Sequence, residues 1–377
     1  MTLKEMLADM LKFKASDLHL RVGLRPILRV DGKLKAIGTA QLVLDEMEQI
    51  MNQILTAEQK DRFLKRNEMD LALSVSKMGR FRLNFYRQRG TVGIAIRAVN
   101  TTIPTVEELN LPLVIKQIAT EKRGLVIVTG TTGSGKSTTL ASMIEHINNS
   151  RGENIVTIED PIEYVYRDKS SIISQREVGG DTESFTSALR HAFRQDPDVI
   201  LIGEVRDLDT MNNALTAADT GHLVLTTLHT LNAVETINRI VSFFPPHQHD
   251  HVRLMLAGTL KAIICQRLVP RSDGPGRIPA VEVLIGTPLV KEYIIDATKT
   301  PQIVELIEKG VVQYGMQSFD QSIMRLYKTG LISYEEAISQ TSSPDDFELR
   351  VKGITGASDQ GWTEFERMGQ KNPSQGK

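Results

Sequence analysis

Residues 130–138 read Gly130-Thr131-Thr132-Gly133-Ser134-Gly135-Lys136-Ser137-Thr138, and the run Leu125, Val126, Ile127, Val128 leads into them. The spacing fits the phosphate-loop template G-x-x-x-x-G-K-[ST] directly after an apolar stretch of strand length. Glycines at 130, 133 and 135 let consecutive backbone N–H groups turn toward one anion. A helix predicted over about 136–149 adds the positive end of its dipole. The order strand, glycine-rich turn, helix predicts a nucleoside triphosphate site. In it Lys136 reaches the β- and γ-phosphates and the Ser137 hydroxyl sits on Mg²⁺. ATP and Mg²⁺ are therefore the expected ligands.

Outward from this loop the pattern repeats. Apolar strands in GLVIVTG, NIVTIED, DVILIGEV and HLVLTTLH alternate with helical segments KSTTLASMIEHINN, TESFTSALRHAFRQ, DLDTMNNALTAADTG and AVETINRIVSFF. Such alternation predicts an α/β fold with a largely parallel sheet over residues 122–350. From residue 246 the pattern reads as mostly helical, broken by a strand at RIPAVEVLIGT. Residues 1–100 form a separate small α+β domain, with a helix near 2–14 and strands in SDLHLRV, ILRVDGKLKAI, LALSVS, RFRLNFYRQRG and TVGIAIRAV. Residues 101–121 carry two prolines and a short helix, as a linker would. The end, residues 351–377, is polar and rich in Gly, Ser and Gln, and is expected to be disordered.

Length and composition agree with two cores: 377 residues, 41% of them hydrophobic. The first twenty residues are amphipathic and charged throughout, unlike a signal peptide, and no stretch reaches 18 uncharged apolar residues. A cytoplasmic protein is expected. The single cysteine, Cys265, excludes a tetracysteine zinc site and reads as a small buried hydrophobe. The overall charge of −1 conceals an asymmetry, because residues 1–100 hold 18 Lys and Arg against 11 Asp and Glu, while the remainder holds 27 against 35. Halves of opposite sign can attract head to tail.

A phosphate loop needs acids nearby, since Mg²⁺ takes oxygen ligands and the attacking water must be oriented. VILIGEVRD ends an apolar strand at Glu204, the expected acid beside the metal and its waters. TIEDPIEY offers Glu159, Asp160 and Glu163. Glu163 is assigned as general base or water-orienting residue, the alternative being a turn carboxylate. His222 and His229 bracket LVLTTL seven residues apart, so strand alternation points them to opposite faces. One is expected near the γ-phosphate and the other in a structural role. His247, His249 and His251 read as a solvated helix start. Arg80, Arg82, Arg87, Arg89 and Arg97 give the first domain a positive face, from which a neighbouring subunit could supply a charge-neutralising arginine. Phe81, Phe85 and Tyr86 interleave with these arginines, which also fits a nucleic-acid surface, but a strand with one face buried is the preferred reading.

At these residues the chain resembles the secretion-superfamily ATPases and, within them, the type IV pilus retraction motors of the PilT and PilU family. The resemblance spans about residues 1–350. It rests on ASDLHLRVGLRPILRVDG, GTTGSGKSTTLASMIEHIN, TIEDPIEY, REVGGDTESFTSALRHAFRQDPDVILIGEVRD and TGHLVLTTLHT, the family's Walker A, Asp box, Walker B and His box segments in order. It implies a homohexameric ring whose subunits each carry a PAS-like N-terminal domain and a RecA-like ATPase domain, with ATP between them. Residue by residue, it implies that Lys136 and Ser137 hold phosphate and Mg²⁺, that Glu163 is the catalytic glutamate and that Glu204 is the Walker B acid. His222 and His229 fall in the His box, and Arg82, Arg97, Arg194 and Arg206 match arginines that reach the nucleotide. The implied role is pilus retraction through an inner-membrane platform protein, at the cytoplasmic side of the membrane and without nucleic acid. An accessory ring paralogue beside another pilus ATPase is the alternative, as is a related secretion or nucleic-acid ATPase. Pilus-extension and type II secretion ATPases usually have a longer N-terminal region and a tetracysteine element; with a single cysteine and no such extension expected, the resemblance points to the retraction branch. Two features depart from the retraction pattern. Thr131 stands where the family often has proline, and LVKEYIIDA occupies the place of an arginine-containing helix. GMQSFDQSIMRLYKTGLISYEEAI looks closer to PilU.

Overall fold

The computed structural model describes residues 1–354, so the tail from residue 355 onward lies outside the described residues. Two units emerge, one of Met1–Thr102 with Ile162–Val165, the other of Ile103–Pro161 with the chain from Tyr166. In the first, α1 (Leu3–Lys12), β1 (Asp17–Arg21), β2 (Ile27–Val30), β3 (Lys33–Ala36), α2 (Leu44–Ile54), α3 (Ala57–Arg66), β4 (Glu68–Val75), β5 (Gly79–Gln88) and β6 (Thr91–Ala98) follow one another. The strands pair in the order β3-β2-β1-β6-β5-β4, antiparallel throughout. Period-two alternation decides the faces. Leu18, Leu20, Phe81, Leu83, Phe85, Ile94 and Ile96 are buried against Met6 and Met10 of α1, Met47 of α2 and Phe63 of α3.

Phe81 and Phe85 are therefore core residues, and neither is placed to stack on a base. Tyr86 lies on the other face over Gly93, where a Cβ would come within 2.5 Å of its ring. Helices α2 and α3 are additional to the helix near 2–14 expected in this domain. Their signals are short-range: Thr56 and Gln59 form a reciprocal capping box at α3, which buries little beyond Phe63.

The second unit contains α4 (Val114–Ala119), β7 (Gly124–Thr129), α5 (Lys136–Ser150), β8 (Asn154–Glu159), β9 (Ile172–Glu177), α6 (Phe185–Ala192), β10 (Val199–Ile202), α7 (Leu208–Asp219), β11 (Leu223–Leu228), α8 (Ala233–Ser242), α9 (His249–Thr259), β12 (Leu260–Pro270) and β13 (Arg277–Ile285). Helices α10 (Pro288–Ile295), α11 (Ile303–Lys309), α12 (Val311–Tyr314), α13 (Phe319–Lys328), α14 (Tyr334–Gln340) and α15 (Pro344–Val351) complete it. The sheet order is β13-β12-β7-β11-β10-β8-β9. Every neighbouring pair is parallel except β12 with β13.

Both faces are covered, which is why the strands read as unbroken apolar runs. Val126 and Val128 face Leu140, Met143 and Ile147 of α5, whereas Leu125 and Ile127 face a core that includes residues of α7, α8 and α9. Two expectations change here. The stretch 260–270, read as part of a helical region, is an eleven-residue strand lying directly beside β7. Its Ile263, Ile264 and Val269 suit a pleated surface, and α9 ends at Thr259, just before it. The stretch 101–121, expected as a linker, is packed into the second unit from residue 103, with Val106, Leu111, Ile115 and Ile118 buried beside α5. No helix among the described residues is long and apolar enough to cross a membrane.

Candidate nucleotide site

The chain leaves β7 at Thr129 and turns through the phosphate loop into α5. Gly130, Gly133 and Gly135 take φ of 143°, 77° and 92°, a region closed to most side chains. The loop lies on β12 so closely that a Cβ on Gly130 would stand 2.3 Å from the Gln266 carbonyl oxygen, and one on Gly135 would stand 2.7 Å from its Nε2. Gln266 also accepts a hydrogen bond from Thr139 Oγ1 at 2.7 Å, which locks the first turn of α5 to the sheet. Lys136, only 8% exposed, donates from Nζ to Gly130 O at 2.8 Å and Thr131 O at 3.0 Å. Its ammonium is thus held over the loop.

Ser134 Oγ is buried with no hydrogen-bond partner among the described residues, and Ser137 is exposed at the start of α5. Glycine backbone, helix N-terminus, lysine and hydroxyls form a donor set that fits a polyphosphate with its Mg²⁺. Two cavities flank the loop. One, of about 250 Å³, is lined by Gly130, Thr131, Thr132, Gly133 and Ser134 with Leu231, Arg267, Arg277 and Gln340. The other, of about 240 Å³, is lined by Gly135, Thr138 and Thr139 with Glu108, Asn110, Leu268, Arg271 and Arg277. Gln266, Arg267 and Arg271 lie in or just after β12, the stretch expected to be helical, and Arg277 opens the expected strand RIPAVEVLIGT, which the sequence does not place beside the loop. The basic cluster of QRLVPRSDGPGR beside an apolar run was the available signal.

At the same edge of the sheet, β10 and β11 end in a second constellation. Thr226 Oγ1 and Thr227 Oγ1 donate to the carbonyls of Ile202 and Gly203 at 2.8 and 2.7 Å. They tie the turn that carries Glu204 to its neighbouring strand. Glu204 then meets His229 Nε2 at 2.8 Å and Arg206 Nη2 at 2.7 Å. Partial burial acts to raise the Glu204 pKa, but the Arg206 hydrogen bond and the charges of Arg206 and His229 outweigh it and hold the carboxyl below its ordinary value. Asp160 adds a further negative charge near Arg206. Glu159 is buried and accepts from Thr157 Oγ1 at 2.7 Å and Gln175 Nε2 at 3.2 Å, as a structural carboxylate does. Glu163 is exposed, in the segment Ile162–Val165 that groups with the first unit.

Not every expected residue joins this edge. His222 precedes β11 and stands level with the start of β7, one strand length, roughly 20 Å, from Gly130. Its Nδ1 lies 3.0 Å from Ala217 O and its ring 5.8 Å from Phe193. The assignment of His222 to cofactor binding is thus corrected within a single chain, since parallel strands put residues 222 and 229 at opposite edges. Arg194 is exposed just after α6, in the loop feeding the start of β10. It too is remote from the chain's own phosphate loop. Arg82 and Arg97 are direct cross-strand partners on the first sheet, with Arg97 paired to Asp17 at 2.8 Å. His249 is held by Phe244 O, at 2.9 Å from its Nε2.

This geometry has counterparts in known proteins. The family described as Type II/IV secretion system protein matches residues 1–310. The type IV pilus ATPase PilU of Pseudomonas aeruginosa is 41% identical over 93% of this chain and 92% of its own length. The type IV pilus retraction ATPase PilT of the same organism is 43% identical over 92% of this chain and 100% of its own. A crystal structure of the pilus retraction motor PilT with bound ADP superposes with a TM-score of 0.85 at 41% identity, covering 92% of this chain and 99% of that one. With one family matched across both units and such relatives aligned over nearly their whole length, this chain belongs to the Type II/IV secretion system protein family, among its type IV pilus ATPases.

Proposed function

We propose that this chain binds Mg·ATP at its phosphate loop and hydrolyses it to drive retraction of a type IV pilus. The observation that carries the reading is one edge of one sheet, where the loop after β7 lies beside the Arg206–Glu204–His229 cluster closing β10 and β11. Lys136 neutralises the β- and γ-phosphates, and the Ser137 hydroxyl ligates Mg²⁺. Glu204, engaged by Arg206 and His229, would help to hold the Mg²⁺ that neutralises the phosphates. Thr138, Leu268, Arg271 and Arg277 shape the neighbouring cavity for the nucleoside. Glu163 is assigned to orient the attacking water.

The larger assembly follows the same reading. The chain works as a homohexamer on the cytoplasmic side of the membrane, docked on an integral platform protein. Arg82, Arg97 and Arg194 serve a nucleotide held by a neighbouring copy. The near-equal identities to PilT and PilU favour a second role as well, that of an accessory ring beside another pilus ATPase.

The test joins cells and enzyme. In a strain lacking this chain, excess surface pili without twitching are expected, rescued by wild type but not by Lys136→Ala. The purified Lys136→Ala and Glu163→Gln variants should turn over ATP roughly 10²- to 10³-fold more slowly than wild type. Cells without pili would overturn the retraction role in favour of assembly. Normal pili and motility would move the assignment to the accessory role, and equal turnover in all three proteins would remove the catalytic reading.

A further inference from the structure

Glu282 is a carboxyl with 7% exposure in the core of the second unit. Burial pushes its pKa up, against hydrogen bonds from the Ala233 N–H and from Cys265. A carboxyl in such surroundings is costly unless its oxygens are engaged. Its Oε1 accepts from Ala233 N–H at 2.8 Å, at the first residue of α8, where the helix dipole favours an acceptor. Around it stand Cys265, its direct partner on β12, Arg267 of the same strand, and Asp320 of α13. Cys265 is in turn the partner of Thr129, the residue before Gly130. One row of residues therefore runs from the root of the phosphate loop to the start of α8.

Helix α8 begins four residues after His229. Within that turn, Asn232 accepts from Glu235 N–H at 2.8 Å, Leu231 N–H donates to Glu235 Oε2 at 3.0 Å, and Thr230 Oγ1 meets Thr236 Oγ1 at 2.6 Å. These bonds join residues 230–236 to one another, so they move together with the turn. The bond to Glu282 ties that body to β13. β11 restrains His229 from its N-terminal side, and Glu282 restrains it from the C-terminal side.

We propose that Glu282 is a positioning residue for hydrolysis, fixing the first turn of α8 against the sheet and so holding His229 on Glu204. The proposal rests on the reading of the site as an ATP-hydrolysing one. Glu282 itself touches no nucleotide. In Glu282→Gln the amide oxygen still accepts from Ala233, whereas Glu282→Leu removes the acceptor. Ala233→Pro removes the donor instead, at a first helical position where proline is tolerated and after a residue already extended, Asn232 with ψ of 172°.

The full chain is measured for amide exchange over residues 229–236, for kcat and KM with ATP, and for affinity toward a fluorescent ADP analogue. In Glu282→Leu and Ala233→Pro, exchange over this segment should rise about tenfold or more. In both, kcat should fall on the order of tenfold while KM and analogue affinity stay within about twofold. Glu282→Gln should remain within about twofold of wild type in every readout. Ala233→Pro keeps the test alive if the leucine variant fails to fold. Unchanged exchange in the variants, or faster exchange with unchanged kcat, would overturn the positioning role. A wild type that turns over no ATP would refute the reading of the site, and the exchange measurement would still decide the tether.

Discussion

Glu204 shows how one residue is tuned by its surroundings. Its carboxyl is held below the ordinary 4.5 because Arg206 and His229 outweigh the burial that would raise it. A lowered acid contributes stability that is fully present above 4.5 and is lost as pH falls through the lowered value. With the cluster partly exposed, that contribution is below about 1 kcal/mol. Thermal unfolding of wild type and Glu204→Gln across pH should therefore differ by no more than about 3 °C near neutrality, and the gap should close in acid. A gap that widens below pH 4.5 would contradict the assignment. At this scale the sequence places Lys136 and Ser137 at the start of α5 and Glu204 just past β10, where the structure has them. Their positions depend on neighbours a few residues away and on a strand that the apolar run announces. His222 was less readable, because alternation tells which face a residue takes but not which edge of the sheet it occupies.

Among elements, the phosphate loop is defined as much by β12 as by its own glycines. Gly130 combines a φ of 143° with a Cβ position 2.3 Å from backbone, and backbone cannot step aside. Gly135 meets the flexible end of Gln266, and Gly133, with φ of 77°, faces open space. Substitution by alanine should accordingly cost least at Gly133, about 1–2 kcal/mol for the left-handed conformation alone, and most at Gly130. Equilibrium unfolding of the three variants checks the order, and Gly133→Ala as the most damaging would refute the packing argument. The central strands β7, β8, β10 and β11 were legible because burial on both faces leaves a continuous apolar run. β12 was not, since Leu260–Pro270 follows a helix without a break and its polar Gln266 and Arg267 interrupt the pattern. What they interrupt it for, contact with the loop, is visible only once β7 and β12 are side by side.

For the molecule as a whole, the basic first hundred residues and the acidic remainder are the feature that the ring proposal uses. Arg82 and Arg97 sit opposite each other, like charges at a distance that is unfavourable without an anion. Asp17 compensates Arg97, and among the described residues no ion pair compensates Arg82. Arg82→Ala should thus lower turnover by roughly 10³-fold or more if a neighbouring copy needs it, with the unfolding temperature little changed. Arg97→Ala should lose up to about 1 kcal/mol in addition, by abandoning Asp17. Turnover of Arg82→Ala equal to wild type at a concentration where rings form would remove this arginine from the site. Chain order alone carried the phosphate-loop motif, the alternation of strands and helices and the parallel sheet, because glycine spacing, capping and apolar runs act over a few residues. Folding in three dimensions settled the rest: the seating of the loop on Gln266, the pairing of Glu204 with His229 and the tie from Glu282 to α8. Each of these joins segments separated by 25 to 136 positions, and no local pattern records which distant strand will lie alongside.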